Sequence, residues 1–405
     1  MKPHIVIVGA GLVGALAAKA LHDAMPSAAI TLLDAAPEGA RQDPRTLALA
    51  LRSQQYLAQL GIWQALAQEP KHAVTPIQHI HISDATGPGS APLHAVNEGV
   101  DALGYVVQAQ QVQDALDHVL QHCSTVQKRN GVEVTRVQAN ASGNRLELSD
   151  GSQLQANLLL VTDGSMSSTR ALLGVQMRQF DYAQHALAGF IETDRPHQFT
   201  AYERFTEQGP MALLPCSGHK RFALVWCAEP NEMARLKALP EVVFRHHAQH
   251  LFGNRAGYFT HSERLGTFPL HFAYAERFVG HHFAVLGNAC HTLHPVAGQG
   301  YNLGIRDVIA LVNTIRTYGL GDLGSVAQLL AYAQARRADY QTITQFTDGL
   351  VHLFSNNIKP LSFARRCGLK ALRIIPSLAN PVAQKAMGFG AGKSAEKSAE
   401  SSIWR

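Results

Sequence analysis

The sequence has no uninterrupted apolar run of about 18 residues, the length a membrane-spanning helix needs, so no such helix is expected. Cysteine is scarce: Cys123, Cys216, Cys227, Cys290 and Cys367 are far apart and odd in number. That excludes a disulfide framework and points to reduced thiols in a cytoplasmic setting. A strong charge of one sign is also missing. The net charge of +5 is too mild to argue for nucleic acid as a partner. No internal repeat is visible. What remains is ordinary globular composition, 46% hydrophobic and 16% charged, in 405 residues. Single cores stop growing near about 250–300 residues, so more than one lobe is expected.

The first segment, "MKPHIVIVGAGLVGALAAKALHDA", has the lysine, apolar run and small residues of a signal peptide. Three glycines inside the apolar run, and a second strand just downstream, favour a strand, a tight turn and a helix. "HIVIVGAG" is continuous rather than alternating, as a doubly buried strand requires. With "AITLLDAAP" it makes a βαβ unit. "PRTLALALRSQQYLAQLGIWQAL" reads as helix with a break at Gly61, and "YVVQAQQVQDALDHVLQHC" as strand becoming amphipathic helix. From about Phe180 to Phe272 the texture alternates, predicting an antiparallel sheet with one face on a core or cleft.

Three motifs carry chemistry. Gly9, Gly11 and Gly14 follow a strand and open a helix, and Asp34 ends the next strand. The glycines let backbone approach a pyrophosphate at the helix N-terminus, and the acid takes ribose hydroxyls. Asp34 favours a free 2′-hydroxyl, so FAD or NAD over NADP. "LLLVTDGSMSSTR" then places Asp163 and Gly164 after a buried strand, where a turn acid accepts from cofactor hydroxyls; Arg170 reads as a surface ion pair.

The third motif is "GNACHTLHPVAGQGYNLG", Gly287 to Gly304. A strand delivers Asn288 to its C-terminal edge. Pro295 stiffens the loop, Gly298 and Gly300 admit backbone N–H groups, and a helix starts near Asn302. Its positive end suits a reduced flavin, which is negative over N1 and the C2 carbonyl. Cys290, His291 and His294 would be crowded as metal ligands and lack a fourth, so no metal is expected.

Together these motifs resemble the group A flavin monooxygenases of the para-hydroxybenzoate hydroxylase type. The resemblance is greatest to the ubiquinone-biosynthesis branch and its 2-polyprenyl-6-methoxyphenol hydroxylases, through "AYERFTEQGPMALLP", "LVWC", "GNACHTLHPVAGQGYNLGIRDV" and "TDGLVHLF". It implies a mixed α/β (α+β) fold: a Rossmann-like FAD-binding domain over 1–75, 101–178 and 273–340, an inserted antiparallel-sheet substrate domain over 76–100 and 179–272, and a C-terminal helical region with a flexible tail over 341–405. Carried over by position, Gly9, Gly11, Gly14 and Asp34 hold the ADP half of non-covalent FAD. Arg45 and Gln108 lie beside the flavin, although Ala109 stands where relatives often carry Arg or Asn. Asp163 and Gly164 bind the cofactor's middle and Asn288 its ribityl chain. Gly298, Gln299, Gly300, Tyr301 and Asn302 hold the pyrimidine edge. Pro295, His291 and Tyr301 are the catalytic candidates. Asn288 is itself informative: most of the family has Asp there, and this branch often has Asn.

The implied reaction inserts one oxygen of O2 into a polyprenyl methoxyphenol, giving the 1,4-benzoquinol through a flavin C4a-hydroperoxide. NAD(P)H or another donor is the reductant, and no second Rossmann fingerprint marks a separate domain for it. Hydroxylation at another ring carbon, or of an aromatic acid met by an arginine such as Arg204, stays open. So does a flavin-dependent dehydrogenase or reductase without oxygen insertion. Partners implied are a prenylated phenol and a ubiquinone-biosynthesis complex. Arg366, Lys370 and Arg373 form a basic stripe between Pro360 and Pro376. It fits peripheral contact with the inner face of a membrane, and equally a solvated helix face.

Overall fold

The structure is a computed structural model that describes residues 2–40, 42–68, 74–85, 87, 89–292, 299–354, 383–384 and 386–388, with 299 and 341–354 as backbone alone. The chain opens with β1 (His4–Val8), α1 (Leu12–Ala24) and β2 (Ala29–Asp34), the expected βαβ unit. Next come β3 (Thr46–Ala50), α2 (Leu51–Gln59), α3 (Ile62–Gln68) and β4 (Thr75–Ile77). A hairpin of β5 (His79–Asp84) and β6 (Ser90–His94) precedes β7 (Gly104–Gln108) and α4 (Ala109–Leu120). After β8 (Val126–Asn130), a meander of β9 (Val134–Asn140), β10 (Gly143–Leu148) and β11 (Gln153–Ala156) leads to β12 (Leu158–Val161) and α5 (Ser168–Leu172). The second lobe is β13 (Met177–Thr193), β14 (Thr200–Thr206), β15 (Gly209–Pro215), β16 (Arg221–Ala228), α6 (Pro230–Ala238), α7 (Glu241–Phe252) and β17 (Phe259–Ala275). The chain returns through β18 (Val279–Gly280), β19 (Phe283–Val285) and β20 (His291–Thr292) to α8 (Gln299–Tyr318) and α9 (Val326–Phe354).

Six strands form the nucleotide sheet in the order β18-β19-β12-β1-β2-β8, with only the edge strand β18 antiparallel. Both faces of its central strands β1, β2, β12 and β19 are buried, which is why those strands are almost continuously apolar. Ile5, Ile7, Ile30 and Leu158 meet α1, α4 and α8 on one side. Val6, Val8, Leu159 and Val285 meet the β9–β11 meander on the other. Alternate residues of one apolar strand therefore serve two cores.

Eight strands form the second sheet, in the order β20-β17-β13-β16-β15-β14-β5-β6. The alternating sequence is answered by two unlike faces. Leu187, Met211, Leu213, Phe222, Leu224 and Trp226 lie beneath α6 and α7. The other face stays partly open. One pairing is parallel, β14 with β5, which brings the early hairpin into this sheet.

Residues 46–50, expected as helix, are instead strand β3, paired antiparallel with β7. Side-chain pairing explains the override of Leu and Ala helix propensity. The Asn302 amide donates to the Ala48 carbonyl and accepts from the Ala50 N–H, both at 2.8 Å. Helix begins only at Leu51, and Gly61, with φ +76°, separates α2 from α3. The helix expected near Asn302 starts at Gln299.

Candidate cofactor and substrate site

The three motifs meet at the C-terminal edge of the nucleotide sheet. Gly9 has φ +99°, and a Cβ there would lie 2.6 Å from the Asp163 Cα. A Cβ on Gly14 would lie 1.8 Å from the Gly9 carbonyl oxygen. Close backbone approach thus demands glycine at both and joins the first motif to the second. Gly11 is the N-cap of α1 and supplies no side-chain cap, which leaves the first amides of that helix for an anion.

Asp34 is buried at the mouth of this turn. Its carboxylate accepts from the Ala10 N–H at 2.6 Å and the Ala36 N–H at 2.8 Å. The carboxylate also lines a cavity of about 750 Å³ with Asp43, Gln108, Asp114 and Lys128. A space of that size and polarity fits the adenosine half of a dinucleotide. Gln108 therefore opens on this cavity. Arg45 is turned to its wall: the guanidinium pairs with both oxygens of Asp43, at 2.7 and 2.5 Å, and this hydrogen bonding raises its already high pKa.

Asp163 caps α5, accepting from the Ser167 hydroxyl and from the Thr169 N–H at 3.2 Å. Gly164, at φ +91°, faces open space. Arg170 is not a surface ion pair. It is buried and donates to the Ala289 carbonyl at 2.9 Å and the Ser165 carbonyl at 3.1 Å, stapling the second motif to the third. Burial works against its charge and lowers its pKa.

Asn288 is exposed on a 3₁₀ turn, Gly287–Ala289, at the end of β19. The turn is pressed on α1: a Cβ on Gly287 or on Gly304 would lie 2.9 or 2.6 Å from the Val13 Cγ2. Gly300 faces open space in the first turn of α8. Asn302 is withdrawn from that space by its bonds to β3, so its side chain positions the loop from behind. Pro295, Gly298 and His294 lie outside the described residues, as does the side chain of Gln299.

Two expected catalytic side chains do not face a cleft. Tyr301 packs in the core beside α1, its hydroxyl 3.5 Å from the Leu12 carbonyl, and burial raises its pKa. His291 is 1% exposed, and its Nε2 meets Asp307 Oδ2 at 2.8 Å.

Asp307 is the functional-region residue that motif reading passes over. It is fully buried in α8. It accepts from the Gly287 N–H (2.8 Å), His291 (2.8 Å), Arg336 Nε (2.7 Å) and the Tyr340 hydroxyl (2.8 Å). Burial disfavours its charge, but Arg336, His291 and the Gly287 amide outweigh that and hold the carboxyl below its usual range. One buried acid thereby fixes the Asn288 turn, β20 and α9 together. A signal was present: Leu303, Asp307 and Leu311 stand at helical i, i+4, i+8 spacing, an acid inside an apolar stripe.

A dinucleotide turn, a DG turn and a glycine-opened helix converging beside a half-open sheet define a FAD-dependent monooxygenase. Comparison with known proteins places the chain in that class: it belongs to the FAD binding domain family, whose pattern matches residues 2–347. It is 34% identical to ubiquinone hydroxylase UbiL of Rhodospirillum rubrum over 95% of this chain and 89% of that protein. It is 29% identical to 3-demethoxyubiquinol 3-hydroxylase of Escherichia coli, covering 95% of this chain and 98% of the relative. Among solved structures, p-nitrophenol 4-monooxygenase PnpA of Pseudomonas putida shares the fold. Its TM-score is 0.77 at 15% identity, over 96% of this chain and 99% of that one.

Proposed function

We propose that this enzyme hydroxylates a prenylated phenol of ubiquinone biosynthesis, converting 2-polyprenyl-6-methoxyphenol to the 1,4-benzoquinol. The observation that carries this reading is the open face of the eight-stranded sheet. Gly266, Ala188, Val225, Ala212, Glu203 and Ile82 lie along one register row on that face, each only partly buried and all but Glu203 small or apolar. The face continues into Phe268, Phe272 and Tyr274 of β17, with Phe180 of β13 at 6.1 Å from the Phe272 ring. Phe180 and Phe268 are 54% and 55% exposed. A long apolar strip with aromatic sides suits a ring and an isoprenoid tail. The hydroxylase names of the relatives support the same pathway.

Arg204, the candidate for a carboxylate substrate, lies on the opposite face. It donates to the Leu251 carbonyl of α7 at 2.9 Å and to the Ser83 hydroxyl at 3.2 Å. That favours a neutral phenol over an aromatic acid.

When bound, FAD supplies reducing equivalents from NAD(P)H and activates O2. The chain's part is to hold and shield. The α1 amides would receive the pyrophosphate, Asp34 the ribose and Asn288 a ribityl hydroxyl, and the N-terminus of α8 would offer its positive end to the reduced cofactor's charge. The apolar wall excludes water and presents the ring carbon. Oxygen insertion at another ring position, as the name of the Escherichia coli relative states for that enzyme, is the second reading. The lipid that accumulates in cells lacking this protein decides between them: 2-polyprenyl-6-methoxyphenol supports the first reading, and a later demethoxy quinone supports the second. Any membrane contact rests with the basic segment at 360–376, outside the described residues. Among the described residues no helix is long and apolar enough to cross a membrane.

A further inference from the structure

We propose that Glu203 is the catalytic base that takes the proton of the substrate's phenolic hydroxyl. The inference rests on the phenol reading above and names the group that reading leaves unassigned.

Glu203 sits in β14, in the middle of the open row. It is register-paired with Ala212 of β15 on one side and Ile82 of β5 on the other. Its sequence neighbours, Tyr202 and Arg204, bond to the Arg255 and Leu251 carbonyls at and just beyond α7. Strand alternation therefore turns Glu203 to the opposite, open face. That face also meets the cofactor side of the molecule. Ile80 and Ile82 of β5 pack with Leu51, the first residue of α2, and Asn302 of the cofactor loop is bonded to the residue before it.

The row is otherwise without charge, and among the described residues no donor or cation pairs with Glu203. An unpaired carboxylate on an apolar wall is costly and needs a reason. Desolvation alone pushes its pKa up to about 7, which balances proton affinity against ionisation near neutral pH. The titratable group that bears on it from the next strands is Cys227 of β16, a buried thiol pushed up by desolvation and then by Glu203 itself, and so uncharged. Asp84, farther along β5 on the same face, has its own partner.

The step is a simple transfer. The phenolic O–H bond breaks, the proton forms an O–H bond on the Glu203 carboxylate, and the electron pair stays on the phenolate. Delocalisation then raises electron density at the para carbon, where oxygen enters. As the ring regains aromaticity, the carbon that took the oxygen loses its hydrogen as a proton to solvent, the proton held by Glu203 moves to the former phenolate oxygen, and Glu203 is ionised again.

The test compares wild type and Glu203→Gln, as FAD-loaded full-length enzymes, on two short-chain 2-prenyl-6-methoxyphenols. Both are assayed at about pH 9.3: the first, an ordinary phenol with a pKa near 10, is mostly un-ionised there, and the second, with fluorine at both carbons meta to the hydroxyl, is mostly ionised. Glutamine keeps the shape, and retained FAD and substrate-binding spectra confirm the fold. The expected kcat loss on the un-ionised phenol is about 100-fold or more, the usual range for removing a general base. On the ionised one it stays within about threefold, because the proton is already gone. In wild type, turnover of the un-ionised phenol also falls as pH drops through about 7, and the variant lacks that limb. Equal losses on both phenols, or none on the un-ionised one, overturn the proposal while leaving the substrate reading intact. A wild-type enzyme that hydroxylates neither phenol overturns both.

Discussion

At the cofactor edge, position is enforced by backbone: Gly9, Gly14, Gly287 and Gly304 each admit a neighbour that a single added methyl would strike. On the open face of the eight-stranded sheet, position is enforced by register. Glu203, Ala212 and Val225 come from three strands and meet only because β14, β15 and β16 pair as they do. The first region tolerates almost no change in residue size. The second, under the proposals above, tolerates change in shape and is sensitive to chemistry at Glu203 and to area along its aromatic strip. A glycine-rich loop and an ordinary strand thus place their residues through different physics.

Predictions that strain this contrast run from the cofactor edge outward. Gly14→Val places side-chain atoms against the Gly9 carbonyl and the Thr162 hydroxyl, which a Cβ would already approach at 1.8 and 2.5 Å. Complete loss of bound FAD is expected by absorbance of the purified protein. Near-normal flavin content would show that the edge is softer than described. Asp307→Asn removes the buried carboxylate shared by Arg336, His291 and Tyr340 and leaves Arg336 with Asp339 alone. A destabilisation of about 3–5 kcal/mol is expected from breaking a buried pair, read by denaturant unfolding, with faster flavin loss because the Asn288 turn is tied to the same carboxylate through its other oxygen.

On the wall, Phe272→Ala removes a half-buried ring from the strip. Loss of about 1.5 kcal/mol of apolar contact from this half-buried ring predicts a KM for a long-chain phenol raised on the order of tenfold. Little change is expected for a phenol without the tail; an equal rise for both would detach the strip from the isoprenoid. The smallest effect is at Asn288. Asn288→Asp adds a negative charge beside a flavin that becomes anionic on reduction, and should lower its midpoint potential. A difference of about 1–1.5 kcal/mol between neutral and charge-assisted bonds corresponds to about 20–30 mV for two electrons. Spectroelectrochemistry reads it, and an unchanged or higher potential counts against ribityl contact.

The two regions also differed in how far they could be read from the chain. Gly9, Gly14 and Asp34 announce their geometry locally, because glycine spacing and a strand-ending acid are short-range signals. The strand at Thr46–Ala50 could not be read that way: its Leu-Ala composition favours helix, and what holds it extended is Asn302, 252 residues away from Ala50. Arg170 looked superficial because its partners are two carbonyls, which leave no charge pattern. Glu203 was visible in principle. In "AYERF" it alternates with Ala201 and Phe205, an acid in the apolar half of a strand. Whether that half faced a helix or a cleft was set by tertiary packing alone.

The proposed reaction is oxygen insertion into a prenylated phenol at a flavin held by this edge and covered by this wall. Turnover of FAD-loaded enzyme with NAD(P)H, a short-chain 2-prenyl-6-methoxyphenol and oxygen-18 gas tests it in one step. The account predicts a quinol product carrying one labelled oxygen. Reductant consumption with all the label in hydrogen peroxide or water, and none in the ring, would contradict it.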